Sequence, residues 1–185
     1  MTAKYWFEKI VRIPVEVDVA SEFRYREPPV TPGTTAIFVS QSGETADTLA
    51  ALRYMALKGA TVLSVVNVPE SSIARESDLV LPSYAGIEIG VASTKAFTAQ
   101  LTVLALLAVK TAHAKGVIND IQYQEYITDL NCIPRLISQA LSIDVAVQKV
   151  AQKLATAQDI IFLGRGSMYP LAMEGALKLK EISYI

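Results

Sequence analysis

Ser40-Gln41-Ser42-Gly43-Glu44-Thr45 places three hydroxyls and a glycine within six residues. The run follows an apolar stretch, Ala36-Ile37-Phe38-Val39, and precedes a helical pattern beginning near Thr45. A helix N-terminus presents unpaired N–H groups and a partial positive charge, which favour an anion. Hydroxyls add neutral donors, and Gly43 lets the backbone come close to a ligand. No Lys or Arg lies in the run, so it is not the lysine-bearing phosphate loop of the P-loop nucleoside triphosphatases. Its chemistry suits a monophosphate held by hydroxyls and amides. The same residues also suit an ordinary helix start, with Ser42 or Thr45 as cap and Gly43 in a turn.

Other segments carry candidate chemistry. Gly90-Val91-Ala92-Ser93-Thr94-Lys95 opens another helical pattern. Its small residues would let a ligand lie against the backbone, and Ser93 or Thr94 would equally well cap a plain packed helix. In Glu174-Gly175-Ala176-Leu177-Lys178-Leu179-Lys180-Glu181, helical spacing puts Lys178 on one face with Glu181 and Glu174. A carboxylate beside a lysine in a dry site can move a proton between neighbouring carbon atoms. A solvated face of surface ion pairs has the same pattern. Gly164-Arg165-Gly166-Ser167 follows an apolar run and is a further anion-loop candidate, with contact to a neighbouring unit as the other role for Arg165. His113 and Cys132 fall in helical stretches and read as structural residues.

These segments need a frame, and short β-branched runs alternating with helical patterns indicate α/β architecture. Residues 4–10 read as a helix tail. Val15-Glu16-Val17-Asp18-Val19 alternates apolar and charged residues and reads as a strand with one wetter face. Residues 22–33 hold Pro28, Pro29, Pro32 and Gly33 and read mostly as loop. Strands buried on both faces of a parallel sheet are expected at 36–39 and 61–67, with a short strand at 79–81 closed by Pro82. Between them come a helix over 45–58, stopped by Gly59, and a short helix or turn over 71–76. A long apolar helix spans about 93–114, and an amphipathic helical stretch over 116–157 breaks near Pro134. A strand restarts at 159–164, a turn follows at 164–166, and a helix opens at 170. The order strand, glycine-bearing polar loop, helix thus occurs twice, at 37–49 and 160–171.

The composition excludes several functions. The chain has 185 residues, 51% of them hydrophobic and 19% charged, and suits one globular domain or one domain plus part of a second. With 17 basic and 18 acidic side chains it is not built around a polyanion, so no nucleic-acid partner is expected. One cysteine and one histidine exclude a disulfide framework and any multi-histidine or multi-cysteine metal site. The apolar run over 96–109 lies between Lys95 and Lys110 and falls short of the roughly 20 residues that span a bilayer. The N-terminus lacks the apolar core of a signal peptide. No membrane partner and a cytoplasmic location are expected.

Taken in order, five segments closely resemble the sugar isomerase (SIS) half of the glutamine:fructose-6-phosphate amidotransferase, or glucosamine-6-phosphate synthase, family. They are Ser21-Glu22-Phe23-Arg24-Tyr25-Arg26, Ser40-Gln41-Ser42-Gly43-Glu44-Thr45-Ala46-Asp47-Thr48, Glu88-Ile89-Gly90-Val91-Ala92-Ser93-Thr94-Lys95-Ala96-Phe97, Leu163-Gly164-Arg165-Gly166, and Glu174 through Ser183-Tyr184. The resemblance covers nearly the whole chain. It implies a flavodoxin-like, doubly wound parallel α/β fold, and a reaction that makes glucosamine 6-phosphate from fructose 6-phosphate and glutamine-derived ammonia. It further implies that Ser40, Gln41, Ser42 and Thr45 bind the sugar phosphate, that Val91 and Ser93 line the sugar site, that Glu181 is the isomerisation base and that Lys178 is its neighbour. Fructose 6-phosphate or glucosamine 6-phosphate is the implied ligand, a homo-oligomer the implied assembly, and no metal or redox cofactor is needed.

The family pattern also sets expectations about extent. Residues 1–115 are expected to form a first SIS unit lacking its first strand, 116–157 a helical connection and 158–185 the start of a second SIS unit. The glutaminase domain, the first strand with its Cys-Gly-Thr-Ser loop, and a later histidine and lysine of the family are absent from this sequence. The chain therefore reads as a truncated piece, inactive by itself. Two other functions stay open. A non-catalytic SIS-type sugar-phosphate sensor would not need Glu181, although such regulators usually carry a helix-turn-helix domain. A flavin or nucleotide binder would want a glycine-rich pyrophosphate loop and a following ribose-binding acid, for which Asn67-Val68-Pro69-Glu70 is a poor match.

Overall fold

Strands β1 (Thr35–Ser40), β2 (Thr61–Val66) and β3 (Leu79–Pro82) form one parallel sheet in the order β1-β2-β3. Phe38 lies opposite Ser64, and Ser64 opposite Val80, so every strand contributes to the same face. On that face Val62 and Val66 meet Leu52 of helix α3 (Ala46–Leu57) and Ile73 and Ala74 of helix α4 (Ser72–Arg75), with Phe38, Leu49 and Val80 packed around them. Each of the fully buried aliphatic side chains stabilises the fold by about 1.5–3 kcal/mol relative to exposure. Burial on both faces holds for the central strand β2 alone: no apolar residue of β1 is fully buried, and Val39 of β1 and Leu79 of β3 are 41% and 49% exposed, contrary to the expectation for 36–39, because α3 and α4 cover only the face described above.

The computed structural model describes residues 1–90 and 92–183. They divide into two compact units, Val15–Ala105 on one side and Met1–Pro14 with Leu106–Ile185 on the other. The first contains the sheet, helix α2 (Ala20–Arg26), α3, α4 and the start of α5 (Thr94–Ala114). The second contains α1 (Thr2–Trp6), a π-helical turn over Phe7–Val11, the rest of α5, and helices α6 (Asp120–Leu141), α7 (Asp144–Leu154) and α8 (Tyr169–Ser183).

Four local expectations are corrected. Residues 15–19 join no ladder; Val17 and Val19 are exposed, and Glu16 and Asp18 both pair with Arg26 of α2. Alternation supplies a strand's two faces, but a strand also needs an edge to bond. The loop expected from residue 22 begins later, because α2 occupies 20–26. The Phe23 ring meets Tyr54 of α3 edge-on at 5.9 Å, and the Tyr54 hydroxyl donates to the Pro28 carbonyl at 2.9 Å. Helix α6 runs through Pro134 and ends near Ser142. Its start is fixed by a capping box, in which Asn119 and Gln122 bond each other's backbone N–H, and the lost Pro134 N–H removes a single rung. Residues 160–163 are not a strand; Ile161 and Leu163 are 82% and 88% exposed, and no strand exists among the described residues of that unit for them to pair with. The Phe162 ring packs instead where Gly175 of α8 has no side chain.

The apolar run over 96–109 belongs to a 21-residue helix with a mean hydropathy of 1.3 over its most apolar window. By length and composition alone α5 is long enough to cross a bilayer, contrary to the expectation from the run itself. Leu104, Ala108 and Ala112 are buried at four-residue spacing, the pattern of a helix with one face packed inside a protein.

One ion pair gives the fold an acid-side dependence. Arg53 donates from Nε and Nη2 to the two Glu76 oxygens at 2.7 and 2.6 Å, holding the Glu76 carboxyl below its ordinary value of 4.5. A depressed carboxyl stabilises the fold above its unfolded value, and that contribution disappears as pH falls through the folded value. Thermal melts taken from about pH 6 down to about pH 3 should therefore show a loss of stability below 4.5 that is smaller in Glu76→Gln. An identical acid-side loss in the variant would remove Glu76 as a source.

Candidate functional site

The carboxyl ends of the three parallel strands carry the polar groups. At the end of β1, buried Ser40 accepts the Gly43 N–H on Oγ at 3.0 Å, and its Oγ lies 3.2 Å from the Thr45 hydroxyl. Ser42 Oγ accepts the Glu44 N–H at 3.2 Å. Ser42 and Thr45 are exposed, Gln41 is half-buried, and the Gln41 side chain makes no hydrogen bond among the described residues. Thr45 occupies the N-cap of α3, yet its side chain makes no capping bond. The helix therefore starts with uncapped N–H groups beside two exposed hydroxyls, and the ordinary capped start is not what this loop forms.

Gly43 is required for a reason internal to the protein. Its φ is +68°, and a Cβ there would lie 2.0 Å from Ser71 Oγ and 2.4 Å from Ser71 Cβ. Ser71 is 2% exposed and caps α4 by accepting the Ala74 N–H. The Gly43 carbonyl accepts the Ile73 N–H at 3.0 Å, and Glu44 Oε1 accepts the Ser72 N–H at 2.7 Å. That backbone donor, with Arg75 nearby, holds the Glu44 carboxyl below its ordinary value of 4.5. The one acidic group of the loop is thus turned onto α4. Close to the loop, Arg24 of α2 is committed to an ion pair with Asp47 in the first turn of α3 at 3.0 Å.

No sequence motif marks the second strand end. Asn67, directly after β2, bonds the segments that follow both neighbouring strands. The usable signal was its place, one residue beyond the central buried strand. Past β3, Ser93 is half-buried with φ 44°, a left-handed backbone uncommon for a side-chain-bearing residue. Its Oγ donates to Glu88 Oε2 at 3.3 Å, and the same oxygen accepts the Ala96 N–H at 3.3 Å. Glu88, rather than Ser93 or Thr94, supplies the side-chain cap of α5. Val91 lies outside the described residues.

Lys178 and Glu181 are on α8, in the other compact unit. Lys178 Nζ donates to Glu181 Oε2 at 3.0 Å and lies 3.4 Å from Glu174 Oε1, so the helical spacing does bring the trio together. The hydrogen bond to Glu181, then the charge of Glu174, hold the ammonium above its ordinary value of 10.5. The three side chains are 26–32% exposed, between a dry pocket and an open surface. Lys178 uses one oxygen of Glu181 and leaves Oε1 to receive a proton. On the same α8 side, Gly166 (φ 59°) begins a 3₁₀ turn, and Arg165 is exposed with no side-chain bond among the described residues.

Residues 1–110 match the family model of the SIS domain. Over 183 residues, 99% of this chain, the sequence is 60% identical to glutamine–fructose-6-phosphate aminotransferase (isomerizing) of Bradyrhizobium diazoefficiens. It is 57% identical to the protein of the same name in Brucella abortus, and the chain spans about 30% of the length of either relative. The fold matches the C-terminal domain of glucosamine-fructose-6-phosphate aminotransferase from Francisella tularensis with a TM-score of 0.98 and 47% identity, covering 100% of this chain and 52% of that one. The family match takes in the whole parallel sheet, the hydroxyl loop between β1 and α3, and the start of α5, and on that ground the chain belongs to the SIS domain family.

Proposed function

We propose that this chain is the sugar-phosphate-binding, isomerising portion of a glucosamine-6-phosphate synthase, which converts fructose 6-phosphate and glutamine-derived ammonia to glucosamine 6-phosphate. The observation that carries the reading is the exposed pair Ser42 and Thr45 at the uncapped start of α3. A phosphate there would accept from both hydroxyls and from first-turn N–H groups. Ser40 supports the loop from beneath by holding the Gly43 N–H, and Gln41 offers an uncommitted amide. Val91 and Ser93 line the sugar side.

Ammonia adds to the carbonyl carbon of the open-chain sugar and water leaves. Glu181 then takes the proton from the adjacent carbon and returns it to the former carbonyl carbon, while the proton of the adjacent hydroxyl ends on the nitrogen, giving the amino aldose. Lys178 steadies the carboxylate. The acidity of the carbon comes from the carbonyl or imine beside it, so the step requires a positioned base and no metal or redox cofactor. A first SIS unit over 1–115, a helical connection over 116–157 and the opening of a second unit over 158–185 complete the reading. So do a cytoplasmic location and a homo-oligomer, whose mass light scattering would read directly. The exposed Leu141, Val145 and Val150 of α6 and α7 support association.

Heteronuclear NMR titration of the chain with fructose 6-phosphate or glucosamine 6-phosphate tests the phosphate site. Amide shifts are expected over 40–48. Thr45→Ala or Ser42→Ala should each weaken binding by about 1 kcal/mol or more, roughly fivefold in Kd. Shifts confined to 164–167 would place the phosphate at the other loop and overturn the reading.

A further inference from the structure

We infer that Asn67 is a positioning residue of this site, holding the segment after β3 in register with the hydroxyl loop after β1. The inference rests on the sugar-phosphate reading above. The backbone N–H of Asn67 donates to the Gln41 carbonyl at 3.2 Å. Its side chain reaches the opposite way. Oδ1 accepts from the Ala85 N–H at 2.8 Å and from the Ser83 hydroxyl at 3.2 Å, and Nδ2 donates to the Gly86 carbonyl at 2.7 Å. One residue, directly after the central strand, therefore spans the ends of both its neighbours.

The bonding pattern demands a carboxamide. Oδ1 faces an obligate donor, the Ala85 N–H, and Nδ2 faces an obligate acceptor, the Gly86 carbonyl, so the orientation of the amide is set by its neighbours. An aspartate would turn an oxygen against the Gly86 carbonyl, and an aliphatic side chain would serve neither group. The segment it holds needs holding. Tyr84 and Gly86 both take left-handed backbone conformations, at φ 51° and 69°. Tyr84, Ile87 and Ile89 are all exposed, so their side chains do not anchor the loop in a core.

What that segment leads to gives the clamp its consequence. Residues 83–86 run on to Glu88, whose carboxylate binds Ser93 Oγ and caps α5. In the proposed site the phosphate end belongs to 40–45 and the sugar end to Ser93. Asn67 thus sets the spacing between the two ends, and its loss should be felt by a ligand that uses both.

The test compares two ligands on the 185-residue chain. Fructose 6-phosphate uses both ends, and inorganic phosphate uses the hydroxyl loop alone. Asn67→Ala removes the three side-chain bonds, adds no charge and leaves the backbone bond to Gln41. Its affinity for fructose 6-phosphate should fall roughly tenfold, the scale of re-ordering a loop on binding. Its affinity for inorganic phosphate should stay within about twofold, as for an uncoupled site. Amide exchange should quicken at Ala85 and remain slow at Gly43, a pattern that general loss of structure would not produce. Ser83→Ala, which removes one of the three bonds, should shift the sugar-phosphate affinity in the same direction by less and keeps the test open if Asn67→Ala folds poorly. Failure of the unsubstituted chain to bind fructose 6-phosphate would overturn the sugar-phosphate reading itself. With that binding present, equal losses for both ligands, or no loss for the sugar phosphate, would overturn the role of Asn67 alone.

Discussion

Glu181→Gln is expected to lower glucosamine 6-phosphate formation by about 10²–10⁴-fold, the contribution of a positioned general base. The measurement belongs in a polypeptide that carries this segment at the full length of its relatives, with ammonia as nitrogen source. Glutamine has the size of glutamate and retains an oxygen to accept from Lys178, which now lies 3.0 Å from Glu181 Oε2. It cannot take up a proton from carbon. The loss should therefore appear in kcat with KM nearly unchanged, as for an interaction made only in the transition state. Lys178→Ala should cost less, because in the proposed step Lys178 only steadies the carboxylate, and Glu174 would remain without its partner at 3.4 Å. Unchanged turnover in Glu181→Gln would remove Glu181 as the base. Unchanged sugar-phosphate binding by a full-length protein without any turnover, before or after substitution, would favour a sensor.

Gly43→Ala should be the most damaging single methyl in the sheet-bearing unit. Two costs combine. A left-handed backbone costs a side-chain-bearing residue about 1–2 kcal/mol. The new methyl would also stand 2.0 Å from Ser71 Oγ and 2.4 Å from Ser71 Cβ, against a neighbour that is buried and caps α4. Over-packing of that kind adds about 1–3 kcal/mol. The total of about 2–5 kcal/mol corresponds to a melting temperature lower by roughly 5–15 °C for a chain of this size. Ser71→Gly in the same chain removes both clashing atoms and should restore part of the loss, leaving the backbone cost. A melting curve superimposable on that of the unsubstituted chain would mean that the turn relaxes without strain. Phosphate affinity should fall with stability in Gly43→Ala, since the methyl forces apart the two turns that shape the hydroxyl loop.

The three strands, α3 with its stop at Gly59, α5 and the hydroxyl loop could be read from sequence because their causes are local. A continuous apolar run, a glycine after the last helical turn and hydroxyls at a helix start all act over a few residues. The Glu174–Lys178–Glu181 trio was equally legible, since helical spacing alone brings those side chains together. Strand identity is different. Residues 15–19 and 160–163 have the composition of strands and join no sheet, because a ladder depends on a partner edge that composition does not describe.

Tertiary structure alone decided the reasons behind the site. Gly43 reads in the sequence as room for a ligand, and in the fold its missing side chain is also the space that Ser71, 28 residues away in the chain like Ser72 from Glu44, comes to occupy. Asn67 looked like a failed ribose-binding position and is instead a clamp whose partners lie 16 to 19 residues further on. Helix α2 formed where prolines suggested loop because Phe23 found Tyr54. In each case the deciding partner is distant in sequence, and packing and hydrogen-bond geometry in three dimensions chose among conformations that the local residues left equally open.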